Sequence, residues 1–421
     1  MISPKSWKFK AIEEVGKVQA GRQRSPHFTE GLPRPYLRVA NVFDGRIDTS
    51  DVNEMLFTDS EFARYELLPG DILLNEGQSL DLVGRPALYC GSPEKCCFQN
   101  TLIRFRPSKE IDANFALKRF QLCLYDGTFK AIAKKTTSIA HLGVSRFAQL
   151  QLSWPPISEQ RRIARILSTW DHAIATAEQL LVNCRTQRAL LAQQTLTGKS
   201  RLAEFNTKVH QKNTPYGPIP GDWDYPQIGE IASEISEKLG SSAPHPVLSC
   251  TKHHGLVDSL TYFKKQVFSA DTSTYKVVPR GGFVYATNHI DEGSIGYQDL
   301  YDAGLVSPMY TIFRTSERVV DAYLFALLKT EHYRQIFASA INASVDRRGS
   351  LRWKDFQRIR VPLPPVKEQE AIAHVLFQAS KEVELIQAQL KLLRDEKSVL
   401  MSQLLTGKRR VRLPTGEASA A

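Results

Sequence analysis

Two short motifs in this 421-residue chain contain residue types that take part in catalysis or nucleotide binding. The histidine pair His253-His254 lacks the carboxylate-rich spacing that a catalytic metal site would need. Gly198-Lys199-Ser200 resembles the end of a phosphate-binding loop, but Gln193 stands where that motif needs a glycine. The run is also predicted at a helix end, where the helix dipole repels phosphate. We therefore predict that this chain itself has no catalytic residue, bound cofactor or metal.

The cysteines and the apolar residues indicate the compartment. The six cysteines show no paired spacing and no coherent relation to histidine, which is typical of reduced thiols. No apolar run approaches the length of a membrane span, and the first residues lack a signal-peptide core. We expect a cytoplasmic protein with no membrane partner.

Basic and amide side chains in predicted loops offer a different chemistry, the recognition of nucleic acid. The formal charge of +11 suits a polyanionic partner, although many soluble proteins are mildly basic. Arg and Lys contact phosphates, and Arg, Lys, Asn, Gln, Ser and Thr read base edges in the major groove. The candidates in the first half are Arg22, Arg24, Arg38, Asn75, Gln78, Lys134, Lys135, Thr136 and Thr137, and those in the second half are Lys252, His253, Asn288, His289, Arg347 and Arg348.

Two of these loops occupy equivalent places. Residues 134–138 and 344–350 each lie a short step before the final predicted strand of their half. That equivalence favours DNA contact for this pair of loops. For the other candidates, a solvated polar loop is an equally good interpretation.

The elements that position these loops follow from an internal repeat. Pro155-Pro156-Ile157-Ser158-Glu159-Gln160 returns as Pro364-Pro365-Val366-Lys367-Glu368-Gln369, and Leu196–Lys199 returns as Leu405–Lys408, each offset by 209 residues without a gap. Two such units nearly exhaust the chain. We predict a duplicated protein in which a variable domain is followed by a long helix, with pseudo-two-fold symmetry.

Both long helices carry the same apolar seam. Its members are Ile163, Leu167, Trp170, Ile174 and Leu181 in the first helix and Ile372, Leu376, Val383, Ile386 and Leu390 in the second. Spacings that alternate between four and three are typical of a coiled coil, and Arg188 and Lys397 occupy the same polar slot. Gly198 and Gly407 are natural C-terminal caps. The alternative is that each helix packs only on its own domain.

A two-fold relation between the units would make the helices antiparallel. About 40 residues would then span about 60 Å and hold the two domains a fixed distance apart. The exposed sides of the helices, with Glu159, Gln160, Arg161, Glu368 and Gln369, are candidate contacts for partner proteins.

The domains before the helices are predicted to mix strands with some helix. Strands are expected at 35–42 and 101–106 in the first domain, and a turn followed by a strand is expected at 67–74. Residues 309–314, 255–258 and 294–297 of the second parallel 101–106, 45–48 and 82–85. The predicted boundaries are 1–153 and 223–361 for the two domains, 154–206 and 362–412 for the helices, 207–222 for a linker and 413–421 for a flexible tail.

The whole chain resembles the specificity subunit of type I restriction–modification systems. The resemblance rests on Pro35-Tyr36-Leu37-Arg38 with Asn41, on Gly217–Trp223, and on the two Pro-Pro-x-x-Glu-Gln helix starts with their Leu-Thr-Gly-Lys helix ends. The second domain departs from the pattern, because it has Pro246–Cys250 in place of Pro-Tyr-Leu-Arg-Val and no equivalent of Asn41.

The resemblance implies an α+β fold in which two α/β target recognition domains are separated by two long antiparallel helices that form a coiled-coil spacer. Each domain would read one half of a split sequence in double-stranded DNA. Two methyltransferase subunits, with restriction subunits, would be the partners. S-adenosylmethionine, ATP and Mg²⁺ would be bound by those partners. An adaptor that spaces two protein-binding domains, or a specificity subunit whose partner fuses methylation and cleavage, are the alternatives.

Overall fold

The computed structural model describes residues 6–412 except 26, 28, 137, 207–209, 216, 242–244 and 344–348. The chain forms two compact units. The first comprises the described residues up to 178 and from 388 onward, and the second comprises those from 179 to 387. Arg347, Arg348 and Thr137 therefore lie outside the described residues.

The elements before the first long helix are β1 (Lys8–Ala11), α1 (Ile12–Val15), β2 (Gly16–Ala20), β3 (Leu32–Leu37), β4 (Val42–Phe43), β5 (Arg46–Ile47), β6 (Asn53–Phe57), α2 (Asp59–Tyr65), β7 (Ile72–Asn75), β8 (Gly77–Gln78), β9 (Pro86–Leu88), β10 (Cys97–Phe98), β11 (Leu102–Pro107), α3 (Ala113–Tyr125), α4 (Thr128–Ile132), β12 (Lys134–Lys135), β13 (Ala140–His141), α5 (Val144–Ala148) and β14 (Gln151–Trp154).

The long helix α6 (Ile157–Leu196) follows. The remaining elements are β15 (Gln211–Thr214), β16 (Gly217–Pro220), α7 (Ile228–Ile231), β17 (Ala232–Ile235), β18 (Leu248–Thr251), β19 (Gly255–Asp258), α8 (Ser259–Phe263), β20 (Lys276–Pro279), β21 (Phe283–Ala286), β22 (Ile295–Tyr297), β23 (Ala303–Val306), β24 (Tyr310–Thr315), α9 (Asp321–Leu328), α10 (Glu331–Ala343), α11 (Trp353–Phe356) and the second long helix α12 (Val366–Leu404).

Each domain is built around a four-stranded antiparallel sheet of the same order. The first sheet is β2-β11-β7-β9 and the second is β17-β24-β21-β22. The predicted strands at 101–106 and 309–314 are the equivalent strands β11 and β24, whose central residues are buried. The mixed helix and sheet character that we predicted is therefore confirmed.

Two details of the strand prediction are wrong. Residues 82–85 form a turn before β9, so the equivalent of β22 is Pro86–Leu88. The strand expected over 35–42 breaks after Leu37, because the buried side chain of Asn41 binds the backbone. It accepts from the Arg38 N–H (3.0 Å) and donates to the carbonyl oxygens of Asp48 (3.0 Å) and Asp51 (2.8 Å). This local turn competes with the strand ladder.

In each unit, the start of one long helix and the end of the other pack on the same core. Ile163 of α6 and Met401 of α12 are buried together with the apolar core of the first domain. In the second unit, Leu196 at the end of α6 and Ile372 near the start of α12 are buried around Trp223. The helices therefore do not pack on their preceding domains alone.

The predicted seam lies on the buried side of both helices. Trp170 and Ile174 are half-buried, and the buried members are Ile163, Leu167, Leu181, Ile372, Leu376, Val383, Ile386 and Leu390. Gly198 and Gly407 have φ angles of +67° and +75°, as expected of left-handed caps.

The basic residue that interrupts each apolar seam, Lys397 or Arg188, binds a polar side chain of the other long helix. In the first unit, Lys397 pairs with Asp171 at 2.6 Å, and Arg394 pairs with Glu178 at 2.5 Å. Between these two pairs, residue numbers increase along α6 and decrease along α12. In the second unit, Arg188 donates to the Ser380 hydroxyl at 3.2 Å. Ser380 is the repeat equivalent of Asp171, so the ion pair of one unit is replaced in the other by a hydrogen bond from a guanidinium to a neutral hydroxyl.

A buried carboxylate fixes the start of each long helix. Glu159 accepts from the Trp7 indole N–H (3.2 Å) and from the guanidinium of Arg410 (2.6 and 2.8 Å). In the second unit, Glu368 accepts from the Trp223 indole (3.0 Å) and from Arg201 (2.8 and 2.6 Å). We call each set of three residues a helix clamp.

The neighbouring glutamines are buried in the same way. Gln160 donates to the carbonyl oxygens of Pro155 (2.8 Å) and Glu110 (3.1 Å), and Gln369 donates to those of Pro364 (2.8 Å) and Arg318 (3.0 Å). The expectation that these glutamines and the clamp glutamates face partner proteins is wrong, since all four side chains are buried. Arg161 alone of that set is exposed.

The structure also describes the segment between the two halves and the extent of the long helices. The segment predicted as a linker contains the hairpin β15–β16, in which Ile219 is buried. Both long helices lie inside their predicted boundaries. None of the helices within the described ranges combines the length and apolar character that crossing a membrane requires.

The clamps predict unequal losses of stability when their arginines are replaced. The Arg201 side chain is 8% exposed and that of Arg410 is 49% exposed. Arg201→Met leaves Glu368 buried without its cation and should cost about 3 kcal/mol, the range for breaking a buried ion pair. Arg410→Met should cost less, about 1 kcal/mol, because the site of this half-exposed arginine is open to water, which can solvate Glu159 in its place. Urea unfolding of the full chain, followed by circular dichroism, measures both.

Arg161→Met is the matched control, because Arg161 is exposed on α6 and should change stability by less than about 0.5 kcal/mol. Equal losses for the two clamp variants, or none beyond the control, would contradict this account of the clamps.

Candidate nucleic-acid interface

Two separate loops of the first domain meet in one small sheet. Strand β13 pairs with β12 on one side and with β8 on the other. Lys134 lies opposite His141, Lys135 opposite Ala140, and Ala140 opposite Gln78. The structure therefore places Lys134 and Lys135 on β12 and Gln78 on β8, with β13 between these two strands. In the sequence, 56 and 57 positions separate the two lysines from Gln78.

The described residues at this end of the sheet are exposed. The Thr136 N–H donates to the Ile139 carbonyl at 3.0 Å, which closes the turn. At its base, His141 Nδ1 lies 2.9 Å from Glu76 Oε2, and the Leu142 N–H donates to the Glu76 carbonyl. Lys134, Lys135 and Thr136 are exposed. We call β12, β13 and the described residues between them the basic hairpin. Its lysine and threonine side chains are of the types that contact phosphates and base edges.

Two residues of this hairpin were not among the sequence candidates. His141 and the exposed Ile139 belong to it. Ile139 carried no polar signal, and His141 lies beyond the basic run, so only the strand pairing identifies them.

Other first-domain candidates have structural partners. The buried Arg22 pairs with Glu61 and donates to the Leu56 carbonyl, and Arg38 pairs with Asp51 at 2.6 Å. Asn75 is fully buried and donates weakly to the Val42 carbonyl. In this structure Arg22 and Asn75 therefore stabilise the domain instead of facing a ligand. Arg24 is exposed.

The candidate DNA-contacting residues of the second domain lie in two neighbouring turns. Lys252, His253 and His254 form the exposed turn of the hairpin β18–β19. Asn288 and His289 are exposed just after β21, in a turn that ends at Gly293. Leu351, which follows the undescribed segment 344–348, donates its N–H to the Thr287 carbonyl at 2.8 Å. That bond anchors the chain beside the second turn.

The backbone allows these turns to approach closely. A Cβ added at Gly293 would lie 3.7 Å from the Lys252 carbonyl oxygen. A Cβ at Gly296 in β22 would lie 2.5 Å from the backbone nitrogen of Leu256 in β19, which only glycine avoids. The hairpin β18–β19 is thereby seated directly on the central sheet.

Both domains present these candidates at the same edge of their sheets. In the first, β7 ends at Asn75 opposite Leu102, the start of β11, and Gln78 follows. In the second, β21 ends at Ala286 opposite Tyr310, the start of β24, and Asn288 follows. Equivalent strands therefore deliver different side chains to equivalent places.

A groove of about 1060 Å³ adjoins the turn of the second domain. The basic side chains along it are those of Arg188, Lys199, His253, His254, Lys329 and His332. Burial, reinforced by the charge of Lys199, lowers the pKa of His332. Glu331 and Glu384 also line the groove, and they pair with Arg334 and Lys381. The groove can therefore accept an anionic chain.

Four of the thiols are shifted away from reactivity by their surroundings. Burial raises the pKa of Cys96, Cys97, Cys123 and Cys250 to about 12, which disfavours a reactive thiolate. Within the part of the chain that the structure describes, no three His, Cys, Asp or Glu side chains are grouped as a metal site requires.

The two domains share one order of sheet strands, and each presents exposed basic turns. The model of the family described as type I restriction modification DNA specificity domain matches residues 4–183 and 264–394. The chain belongs to this family of DNA specificity subunits.

Individual relatives agree over nearly the whole chain. The type I restriction enzyme MjaVIII specificity subunit of Methanocaldococcus jannaschii is 24% identical, covering 97% of this chain and 94% of that protein. The EcoKI specificity subunit of Escherichia coli is 22% identical, covering 92% and 85%. The crystal structure of the HsdS subunit from Thermoanaerobacter tengcongensis is similar in fold, with a TM-score of 0.54, 16% identity and coverage of 97% and 99%.

The basic hairpin predicts a measurable salt effect. Replacing Lys134 and Lys135 with Ala should weaken binding to a DNA duplex and reduce the slope of log affinity against log salt by up to about two, because each phosphate contact releases counterions. Fluorescence anisotropy of a labelled duplex at several salt concentrations measures the slope.

The control replaces Lys17 and Lys109 with Ala, which removes the same charge. Both are exposed, and Lys17 lies opposite Arg106, at the other end of β11 from the hairpin. If the control lowered the slope as much, net charge would explain the effect and the hairpin would not be the contact.

Proposed function

We propose that this chain is the non-catalytic DNA-recognition subunit of a type I restriction–modification complex and that it reads a bipartite target, one half-site per domain. The observation that carries the proposal is the shared placement of unlike side chains. Gln78 with the basic hairpin, and Asn288 with the Lys252–His254 turn, extend from equivalent sheet edges. A duplicated framework with different side chains at the same edge is suited to reading two different sequences.

The two long helices would form an antiparallel coiled-coil spacer between the half-sites. Support comes from the buried seams and from the opposite order of the ion pairs Asp171–Lys397 and Glu178–Arg394. Helices of 40 and 39 residues would extend for about 60 Å at 1.5 Å per residue. The length of this spacer would set the number of unspecified base pairs.

The partners would be two methyltransferase subunits, with restriction subunits added to the complex in the cytoplasm. S-adenosylmethionine, ATP and Mg²⁺ would be bound by these partners. The clamp glutamates are too buried to form the docking face. Phe377, Leu385, Leu392 and Val399 of α12 are exposed at intervals of eight or seven residues, as one face of a helix would be. An exposed apolar row of this kind supports a protein partner.

A modified-base map of the host genome tests the proposed function. It is recorded with and without this gene, while expression of the methyltransferase partner is verified in both strains. We expect a split motif, two short specified blocks around a fixed gap, that is methylated only when the gene is present. If partner expression is verified and no such motif depends on the gene, the proposal fails.

Lengthening both helices should change the gap alone. Four residues inserted beside Leu181 and four beside Leu390, which are equivalent positions of the repeat, add about 6 Å to each helix. The gap should grow by one or two base pairs, at about 3.4 Å per base pair, while both blocks stay the same. The modified-base map of the variant measures this.

The same insertion in α6 alone is the control. It should misalign the seams and abolish methylation, since the coiled coil needs both helices in register. A double insertion that left the gap unchanged, or altered the bases within a block, would show that the helices do not set the spacing.

A further inference from the structure

Lys329 joins the two turns that carry the second domain's candidate base-reading side chains. It is the first residue after α9, and its ammonium group donates to the Lys252 carbonyl at 2.9 Å and to the Gly293 carbonyl at 2.8 Å. Lys252 begins the turn of β18–β19, and Gly293 ends the turn that starts after β21. One side chain thus spans two segments that are 41 residues apart in the sequence.

Backbone hydrogen bonds within the second turn connect Gly293, which Lys329 holds, to the exposed residues of that turn. The Gly293 N–H donates to the Ile290 carbonyl at 2.9 Å, and the Ser294 N–H donates to the His289 carbonyl at 3.2 Å. His289 in turn donates its N–H to Ala286, the last residue of β21. A shift of the Gly293 carbonyl would therefore move His289 and its neighbour Asn288.

The environment of Lys329 strengthens these bonds. Its side chain is partly buried, and burial lowers its pKa from the ordinary lysine value, opposed by the nearby Cys250 thiol. Charge-assisted hydrogen bonds are stronger than neutral ones, and they gain further where water is partly excluded. The partly buried ammonium group needs both carbonyl oxygens as hydrogen-bond acceptors. The two hydrogen bonds in turn fix the positions of the Lys252 and Gly293 carbonyls.

The first domain achieves the same juxtaposition by a different means. There, the candidate loops are strands of one sheet, and the backbone bonds of β12-β13-β8 fix Lys134 and Lys135 on one side of β13 and Gln78 on the other. In the second domain a lysine side chain bridges the turns. A single side-chain substitution should therefore disturb the arrangement of the candidate loops in the second domain more than in the first.

We propose that Lys329 is a positioning residue for recognition of the second half-site, acting by holding the 252–254 turn against the 288–293 turn. The proposal rests on the proposed function, since it assigns these turns to DNA reading. Lys329 need not touch the DNA for its loss to relax the specificity of this domain.

Lys276 offers a matched control within the same domain. Its ammonium group also donates to a backbone carbonyl, that of Tyr310, at 2.7 Å, and burial also lowers its pKa. Its partner lies in the central sheet instead of an exposed turn. Lys276→Met therefore removes a similar interaction without separating the two turns.

The test selects sequences from a pool of randomised double-stranded DNA with the full chain. The variants are Lys329→Met, Lys329→Arg, Lys329→Gln and Lys276→Met, and thermal unfolding is measured for each. We expect Lys329→Met to reduce the preference for one block of the split motif by about tenfold, comparable to losing one base contact. The other block should be kept. Lys329→Arg, which retains donors, should restore much of the preference, and Lys276→Met should keep both blocks.

The outcomes separate the two proposals. A wild-type chain that selects no split motif overturns the proposed function and this inference together. A wild-type motif that Lys329→Met leaves intact overturns only the role of Lys329. So does an equal loss of both blocks, or a loss of the same block in Lys276→Met, because either would reflect general destabilisation. If Lys329→Met does not fold, Lys329→Gln is read by the same criteria.

Discussion

The structure depends on two carboxylates that are buried at the starts of the long helices. Glu159 and Glu368 are removed from solvent, and a buried carboxylate is costly unless cations and hydrogen-bond donors surround it. Each receives an indole N–H from the start of its own domain and a guanidinium from the segment that follows the other helix. Neither helix start can be completed by its own half of the sequence. The requirement to satisfy these two charges therefore ties each domain to both helices.

Both units neutralise their buried glutamate in the same way, but they differ in the polar contacts made further along the helices. In the first unit, burial alone would raise the pKa of Asp171, yet hydrogen bonds from Lys118 and Lys397 lower it below its ordinary value. Lys118 lies on α3, so this carboxylate links α12 to the first domain as well as to α6. In the second unit, the uncharged hydroxyl of Ser380 takes the place of the carboxylate and accepts a hydrogen bond from the Arg188 guanidinium. At this position along the helices, the first domain is therefore attached by a pair of lysine–carboxylate contacts, whereas the equivalent position of the second unit has the Arg188–Ser380 hydrogen bond.

The sequence was most informative where the relevant spacing is local. The seams, the glycine caps and the repeat itself involve residues a few positions apart or offset by a constant number, and the structure agrees with each. Burial of Glu159 could not be predicted, because its partners Trp7 and Arg410 are 152 and 251 residues away. The same limit applies to Arg22, whose partner Glu61 is 39 residues away. A polar residue in a predicted loop looks exposed until its distant partner is known.

The clamps also define where one domain can be replaced by another. In the first unit, the clamp residues Trp7, Glu159 and Arg410 flank the domain, while the residues between Trp7 and Glu159 that present the basic hairpin make no part of the clamp. A genetic crossover near each end of that stretch would exchange the reader of one half-site and leave the framework intact. The second unit offers the same pair of joints at Trp223 and Glu368. If each domain reads one half-site, as proposed, new target sequences would arise by recombination, one half-site at a time, without redesign of the helices.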